Sequence, residues 1–369
     1  MTEQSMEFSF DEEQRIVSDL SASVFAKRGA DERVAQLERT GTAFDHELWA
    51  QLIDTGLLDV ALPAEIGGGG LGMVGLAIVL EQQGRHLSRV PLVSTATAAL
   101  ALAHFGDDGT RTLPSIRDGS ARIAVALPDP CFSVRAERHG DDWVLDGHLP
   151  QVYLAGSCTH VLLIADDGGS DRAFLLPLTE DGIEVDAFEG ISRNVHAALG
   201  FTGVRIDTRH LVGDCTDGAS ARWIRNHLLT GMAALESGLC REALRRTAEY
   251  TSEREQFGRP LSANQGVAMR AADAYIDTEA IRLTMLDAAW QLDQGDDALA
   301  AVLVAAWWAR EGGVRVVHAT QHLHGGMGAD IDNHIHRFFL WARELDIVAG
   351  AAPALLAELS AVLATGDGQ

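Results

Sequence analysis

The chain has 369 residues, 47% of them apolar, enough to bury a substantial core spread over two or three structural units. A formal charge of -24 argues against nucleic acid or an anionic membrane as a partner, and it means that any phosphate-bearing ligand needs a local basic patch. No segment is long and apolar enough to span a bilayer. The polar, acidic start Met1-Thr2-Glu3-Gln4-Ser5 argues against a secretory signal. Cys131, Cys158, Cys215 and Cys240 are widely spaced and form no CxxC, which points to reduced thiols in a cytoplasm.

The first third reads as helical. Ser9-Phe10-Asp11-Glu12 has the spacing of a capping box, followed by Ile16, Leu20, Val24 and Phe25 at helical spacing. Asp45 is placed to cap a helix carrying Leu48, Trp49, Leu52 and Ile53, which Gly56 ends. Pro63-Ala64-Glu65-Ile66 and the glycines that follow form a loop. No GK[ST] follows it, so an interhelical connection is favoured over a phosphate loop. Leu76 to Leu102 continues in alanine-rich helical style.

Near residue 121 the pattern shortens into strands at Arg122–Leu127, Trp143–Gly147, Val161–Ala165, Phe174–Leu178 and Val204–Ile206. With no helices between them, they suggest a compact antiparallel barrel or sandwich. Helical period returns at about Ala219, with long patterns over Trp223–Arg254, from a second capping box at Ser262-Ala263-Asn264-Gln265, over Ala298–His322, and over Ile335–Leu363. On the second of these, Ala268, Ala272, Tyr275, Ile276, Leu283, Leu286 and Trp290 read as the buried side. The expected fold is mainly α with a small central β domain: an N-terminal helical domain (1–120), a β-barrel or sandwich (121–216) and a C-terminal four-helix bundle (217–369).

Two segments carry the chemistry. Arg254-Glu255-Gln256-Phe257-Gly258 offers a planar fork of donors and an aromatic face, and His324-Gly325-Gly326-Met327-Gly328 offers backbone that a ligand can approach closely. Together they suit a diphosphate.

These segments, with Phe44–Trp49, Pro63–Gly68 and Tyr250–Pro260, resemble the acyl-CoA dehydrogenase family over essentially the whole chain. The resemblance implies a flavoprotein in which a glutamate takes the α proton of an acyl-CoA and FAD takes the β hydride, with electrons passing to an electron-transfer flavoprotein or similar acceptor. It also implies that Arg254, Gln256, Phe257, Asn264, Gln265, His322, Gly325 and Gly326 contact the diphosphate half of a FAD shared across a subunit interface. His322 stands where the family usually has glutamine.

The flavin-ring end departs from the family. Its T-E-P-x-A-G-S-D stretch is replaced near Pro128-Asp129-Pro130-Cys131-Phe132-Ser133, and its W-I-T segment by Gln151-Val152-Tyr153. The two places where the family carries its glutamate fall on Ala349 and Leu228, neither of which can accept a proton. No residue is therefore assigned as catalytic; Glu236 and Glu344 remain as carboxylates with ordinary structural readings. In this respect the chain is similar to the second, non-catalytic subunit of actinobacterial heterotetrameric (α2β2) dehydrogenases acting on steroid side-chain CoA thioesters. Tyr275-Ile276-Asp277 and His336-Arg337-Phe338-Phe339-Leu340 add to that resemblance. The implied partner is a second acyl-CoA dehydrogenase subunit that supplies the glutamate.

Three alternatives stay open. One is a homomeric dehydrogenase with a relocated base, and another a non-enzymatic structural or binding paralogue. The third is a metal site at His318, His322 and His324, although no HExxH accompanies the pair spaced by four.

Overall fold

The computed structural model describes residues 9–365 apart from 29–30, 107–110, 130, 214–216, 257 and 349. The helices that precede the sheet are α1 (Glu12–Arg28), α2 (Asp31–Arg39), α3 (His46–Asp54), α4 (Gly72–Arg85), α5 (Leu92–Phe105) and α6 (Leu113–Arg117). The strands are β1 (Ile123–Ala126), β2 (Val134–His139), β3 (Asp142–Val152), β4 (His160–Asp166), β5 (Asp171–Pro177), β6 (Ile183–Glu189) and β7 (Val195–Asp207). After them come α7 (Ala219–Glu253), the two-residue strands β8 (Glu255–Gln256) and β9 (Arg259–Pro260), then α8 (Gln265–Gln294), α9 (Leu299–Leu323), α10 (Ile335–Leu345) and α11 (Ala352–Thr365). The chain divides into two compact units. One contains Met1–Gln36, Met73–Ser88 and Leu229–Gln369; the other contains Leu37–Gly72 and Arg89–Leu228.

The β-containing unit holds one seven-stranded sheet in the order β1-β4-β2-β3-β7-β6, with β5 paired to β4. It is mixed, which corrects the antiparallel expectation: β1 runs parallel to β4, and β2 meets β4 in parallel at Arg135. The β2–β3 hairpin intervenes between β1 and β4, and a detour of that length lets β4 return in the direction of β1. Trp143 meets Phe174 edge-on at 5.4 Å in the core, among Val134, Leu145, Leu163 and Phe201. Strand β2 escaped the sequence reading because its pattern is mostly polar; β6 mixes apolar with acidic residues, and all of it beyond Ile183 is exposed.

In the same unit Asp45 caps α3 as expected, its Oδ1 accepting the Leu48 N–H at 3.2 Å. The loop after Pro63 is a connection and not a phosphate cradle. The amides of Gly67, Gly68, Gly69, Gly70 and Leu71 all donate to carbonyls of residues 59–64, leaving no row of N–H groups for an anion.

In the helical unit, α4 and α7 touch backbone to backbone. A Cβ on Gly84 would overlap the Leu235 carbonyl, and one on Gly238 the Glu81 carbonyl. Beside this contact Ser237 Oγ donates to Glu81 Oε1 at 2.7 Å. Asp293, at the far end of α8, accepts the Met73 and Val74 N–H groups at 2.6 and 2.9 Å and so caps the start of α4.

Four sequence expectations are corrected in this unit. The first capping box is Asp11 with Gln14, not Ser9 with Glu12: Gln14 N–H donates to Asp11 Oδ1 and Asp11 N–H to Gln14 Oε1. Asn264 precedes α8 without a side-chain cap, because Arg259 and the Leu261 carbonyl occupy its amide. The face of α8 also differs. Ala274, Thr278, Ile281, Met285, Ala288 and Ala289 are buried, whereas Tyr275 and Ile276 are 57% and 62% exposed, and Ala268, Ala272 and Leu283 are exposed too. Leu286 is buried as expected and Trp290 partly so. The error has a physical source: α8 is apolar on two opposite faces, so periodicity cannot say which one this chain covers. The last bundle helix is two helices, α10 and α11.

Candidate functional site

The two segments that stand out in the sequence meet in the helical unit. Tyr250, in the last turn of α7, stacks on His324 at 4.4 Å between ring centroids and 16° between planes. His324 is turned inward and buried, and its Nδ1 donates to the Thr320 carbonyl at 2.9 Å. Burial lowers its pKa, opposed by that carbonyl bond, so the ring serves as a neutral wedge between α7 and the glycine turn. Arg254 lies one turn beyond Tyr250. Its N–H donates to the Tyr250 carbonyl and its carbonyl accepts from Leu261, which fixes the backbone at both sides.

The side chains that the sequence assigns to a diphosphate are placed as follows. Arg254 and Gln256 are exposed, at the entry to the β8–β9 hairpin, and the Arg254 guanidinium has no ion-pair partner among the described residues. Phe257 lies outside the described residues. Asn264 is spent on structure: Oδ1 accepts from Arg259 at 2.6 Å and Nδ2 donates to the Leu261 carbonyl at 3.1 Å. Gln265 is exposed at the first position of α8. His322 and Gly325 line one open cavity of about 610 Å³, within the span of about 300–1,000 Å³ usual for small-molecule sites. Gly325 holds φ +60°, and no described residue lies within 4 Å of a Cβ built on Gly325 or Gly326. That opening and the glycine backbone fit a bulky anionic group coming close. Gly328 is different, since a Cβ there would overlap the Gln321 carbonyl oxygen.

Sequence reasoning missed Arg270 and Asp273 of α8 and Arg315 of α9. It named Asp277 and Phe339 only for resemblance and His318 only as a metal ligand, and all six line this cavity. The signal was present as i, i+3, i+7 spacing on both helices, but polar residues on a helix face read as ordinary solvated surface until the helices are paired. Arg315 closes one end with a bidentate bridge to Asp277, both contacts at 2.8 Å. His318 packs edge-on against Phe339 at 4.8 Å. Since His324 points away to Thr320 and Tyr250, the three histidines do not converge. Among the described residues no group of three or more His, Cys, Asp or Glu is arranged to hold a metal.

At the positions assigned by resemblance to the flavin ring, three backbone donors are engaged within the loop, while the side chains of Ser133 and Gln151 are exposed. Asp129 and Phe132 exchange both backbone hydrogen bonds, at 2.9 and 3.1 Å, and Cys131 N–H donates to Asp129 Oδ1 at 2.8 Å. Those amides are therefore not free for a ring, and Pro130 lies outside the described residues. Tyr153 is buried against His196 at 5.4 Å. The engaged amides of Asp129, Cys131 and Phe132 and the buried Tyr153 do not fit a bound flavin ring.

Neither Glu236 nor Glu344, the two carboxylates left as candidate bases, is among the residues lining this cavity. Leu228 is buried in α7, and Ala349 lies outside the described residues. Glu236 is 1% exposed; burial pushes its carboxyl up to about 7 against the opposing pull of Arg310. It presses on α9 at Gly313, with Cys240 Sγ 3.7 Å from its Oε1, and does not line this cavity. Glu344 is buried as well. No helix among the described residues is long and apolar enough to cross a membrane, and Cys131, Cys158 and Cys240 are free thiols.

Residues 11–119 match the acyl-CoA dehydrogenase N-terminal domain, and residues 222–363 the acyl-CoA dehydrogenase C-terminal domain. The chain is 33% identical over 348 residues to acyl-CoA dehydrogenase FadE27 of Mycobacterium tuberculosis, a match covering 90% of this chain and 92% of that protein. Among solved structures, a variant of the Tcur3481–Tcur3483 steroid ACAD is 37% identical with a TM-score of 0.89, covering 97% of this chain and 99% of the other. The ChsE4–ChsE5 complex of Mycobacterium tuberculosis gives 32% identity and a TM-score of 0.90 at the same coverage.

Proposed function

The chain belongs to the acyl-CoA dehydrogenase family, and from that footing we propose that it is the non-catalytic subunit of a heteromeric, FAD-dependent enzyme. It holds the diphosphate half of a FAD whose ring and catalytic glutamate belong to a partner subunit. The observation that carries this reading is an asymmetry within one chain. His322 and Gly325 line an open cavity and Arg254 is exposed, whereas the amides of Asp129, Cys131 and Phe132 are consumed internally and the base positions hold no proton acceptor or lie outside the described residues. When bound, FAD supplies the hydride acceptor for α,β-dehydrogenation of an acyl-CoA. This chain's part is to fix the diphosphate with Arg254, to admit it over Gly325 and Gly326, and to keep the turn in register through the Tyr250–His324 stack.

The second apolar face of α8 supports a partner. Met269, Tyr275 and Ile276 are each more than half exposed on a helix whose opposite face is already buried, a pattern suited to an interface. Two relatives support a substrate class. One is named as a steroid ACAD and another is a two-component complex, so a steroid side-chain CoA thioester processed by an α2β2 assembly is the proposed setting. An electron-transfer flavoprotein or similar acceptor would reoxidise the flavin, and the assembly would work in the cytoplasm.

Co-purification with a dehydrogenase chain that carries an intact glutamate, scored for flavin, tests the reading. One FAD per pair is expected, and two per pair would overturn it. So would stoichiometric FAD and acyl-CoA oxidation by this chain alone, which would restore the homomeric alternative.

A further inference from the structure

The cavity contains a cation that no family motif accounts for. Arg270 lines it from α8 and makes no hydrogen bond or ion pair with any described residue. Asp273, three positions on and lining the same cavity, is equally unpaired, although the i, i+3 spacing would let the two bridge each other. In a chain of net charge -24, a free arginine in a concave site is the local basic element that a phosphate requires.

Helix register shows what Arg270 faces. α8 and α9 are joined by the short link at residues 295–298 and so run antiparallel, with Asp277 opposite Arg315. Two turns back along α8 from Asp277 is Arg270, and two turns forward along α9 from Arg315 is His322. Each step is about 10.5 Å along its helix. Arg270 therefore stands across the groove from His322, at the end where Gly325 opens, and Asp273 lies one turn nearer the Arg315 bridge.

Resting on the reading above, we propose that Arg270 is a further phosphate-holding residue of this subunit. It meets the diphosphate of the shared nucleotide from the α8 side as His322 meets it from α9, and Asp273 accepts the hydroxyls of the adjoining ribose. The planar guanidinium suits two phosphate oxygens at once, and a carboxylate suits a ribose diol. The closed Arg315–Asp277 bridge sets the far limit of the nucleotide.

The test uses the co-purified complex with four variants of this chain: Arg270→Gln, Arg270→Lys, Asp273→Asn, and Arg254→Gln as reference. FAD dissociation is followed by recovery of flavin fluorescence, and the groove is probed separately by competition with ADP and AMP. Loss of one charge-assisted phosphate contact is worth on the order of 10-fold in Kd. Arg270→Gln is expected to weaken FAD by about that factor and to reduce the preference for ADP over AMP. Lysine should recover part of the loss, and Asp273→Asn should weaken both adenosine nucleotides alike. An unchanged constant in Arg270→Gln while Arg254→Gln loses FAD overturns this inference and leaves the subunit reading standing. If Arg254→Gln retains FAD as well, both fail. Should Arg270→Gln fail to assemble, an assembled Arg270→Lys or Asp273→Asn complex with wild-type ADP and AMP affinities also overturns it.

Discussion

The glycine turn permits a test that separates folding from ligand approach within four residues. At Gly328 a methyl would overlap the Gln321 carbonyl oxygen and stand 3.0 Å from Gln321 Cγ, so the turn must open against the end of α9. Overpacking of this kind costs about 1–3 kcal/mol. At about 2–4 °C per kcal/mol for a unit of this size, Gly328→Ala should lower Tm by several degrees. Gly325→Ala meets no neighbour among the described residues but forces φ +60° on a residue with a Cβ, at about 1 kcal/mol. Gly326→Ala meets neither obstacle, and a shorter list of unfolded conformations makes it neutral or stabilising by up to about 1 kcal/mol. If Gly326 exists to let a nucleotide approach, its alanine variant should keep the wild-type Tm by differential scanning calorimetry and still lose FAD from the assembled complex. Full FAD retention in Gly326→Ala would refute a ligand role for that glycine. A Tm loss equal to that of Gly328→Ala would refute the open-space argument.

Other consequences are testable by ordinary means. Against the burial that would raise it, hydrogen bonds from Arg245 and Arg246 hold the Glu242 carboxyl down to about 2. A depressed carboxylate stabilises the fold above its unfolded pKa of about 4.5 and loses that contribution as pH falls through about 2, on the order of 3 kcal/mol in all. Glu242→Gln should therefore trail wild type in urea midpoint at pH 7, with the gap closing toward pH 2; a gap independent of pH would contradict this assignment. Asp293→Ala removes the acceptor of the Met73 and Val74 N–H groups and should cost about 1 kcal/mol by chemical denaturation. Asn at that position should recover part of the loss. Ile276→Lys, on the exposed face of α8, should leave Tm of the isolated chain within about 1 °C while preventing co-purification with the partner. A complex of normal stoichiometry would show that this face is not the interface.

Local sequence determined the helices and most of the strands, since apolar spacing, Asp45 and the glycine ends act within a few residues of themselves. It also brought Arg254 and Gly325 forward as a pair, and by resemblance alone it set Leu228 at one of the two positions where the family carries its glutamate. Helical spacing could not say which of the two apolar faces of α8 is buried, because both satisfy the same period and only packing chooses Ala274 and Ile281 over Tyr275 and Ile276. Nor could it show β1 and β4 lying parallel, a pairing fixed by contacts between distant residues. The functional site divides the same way. Arg254 and the glycine turn are legible one segment at a time, but Arg270 acquires meaning only when antiparallel packing sets it across a groove from His322. A motif is written in neighbouring residues, whereas a cavity is a relation between helices, and tertiary structure alone decides that relation.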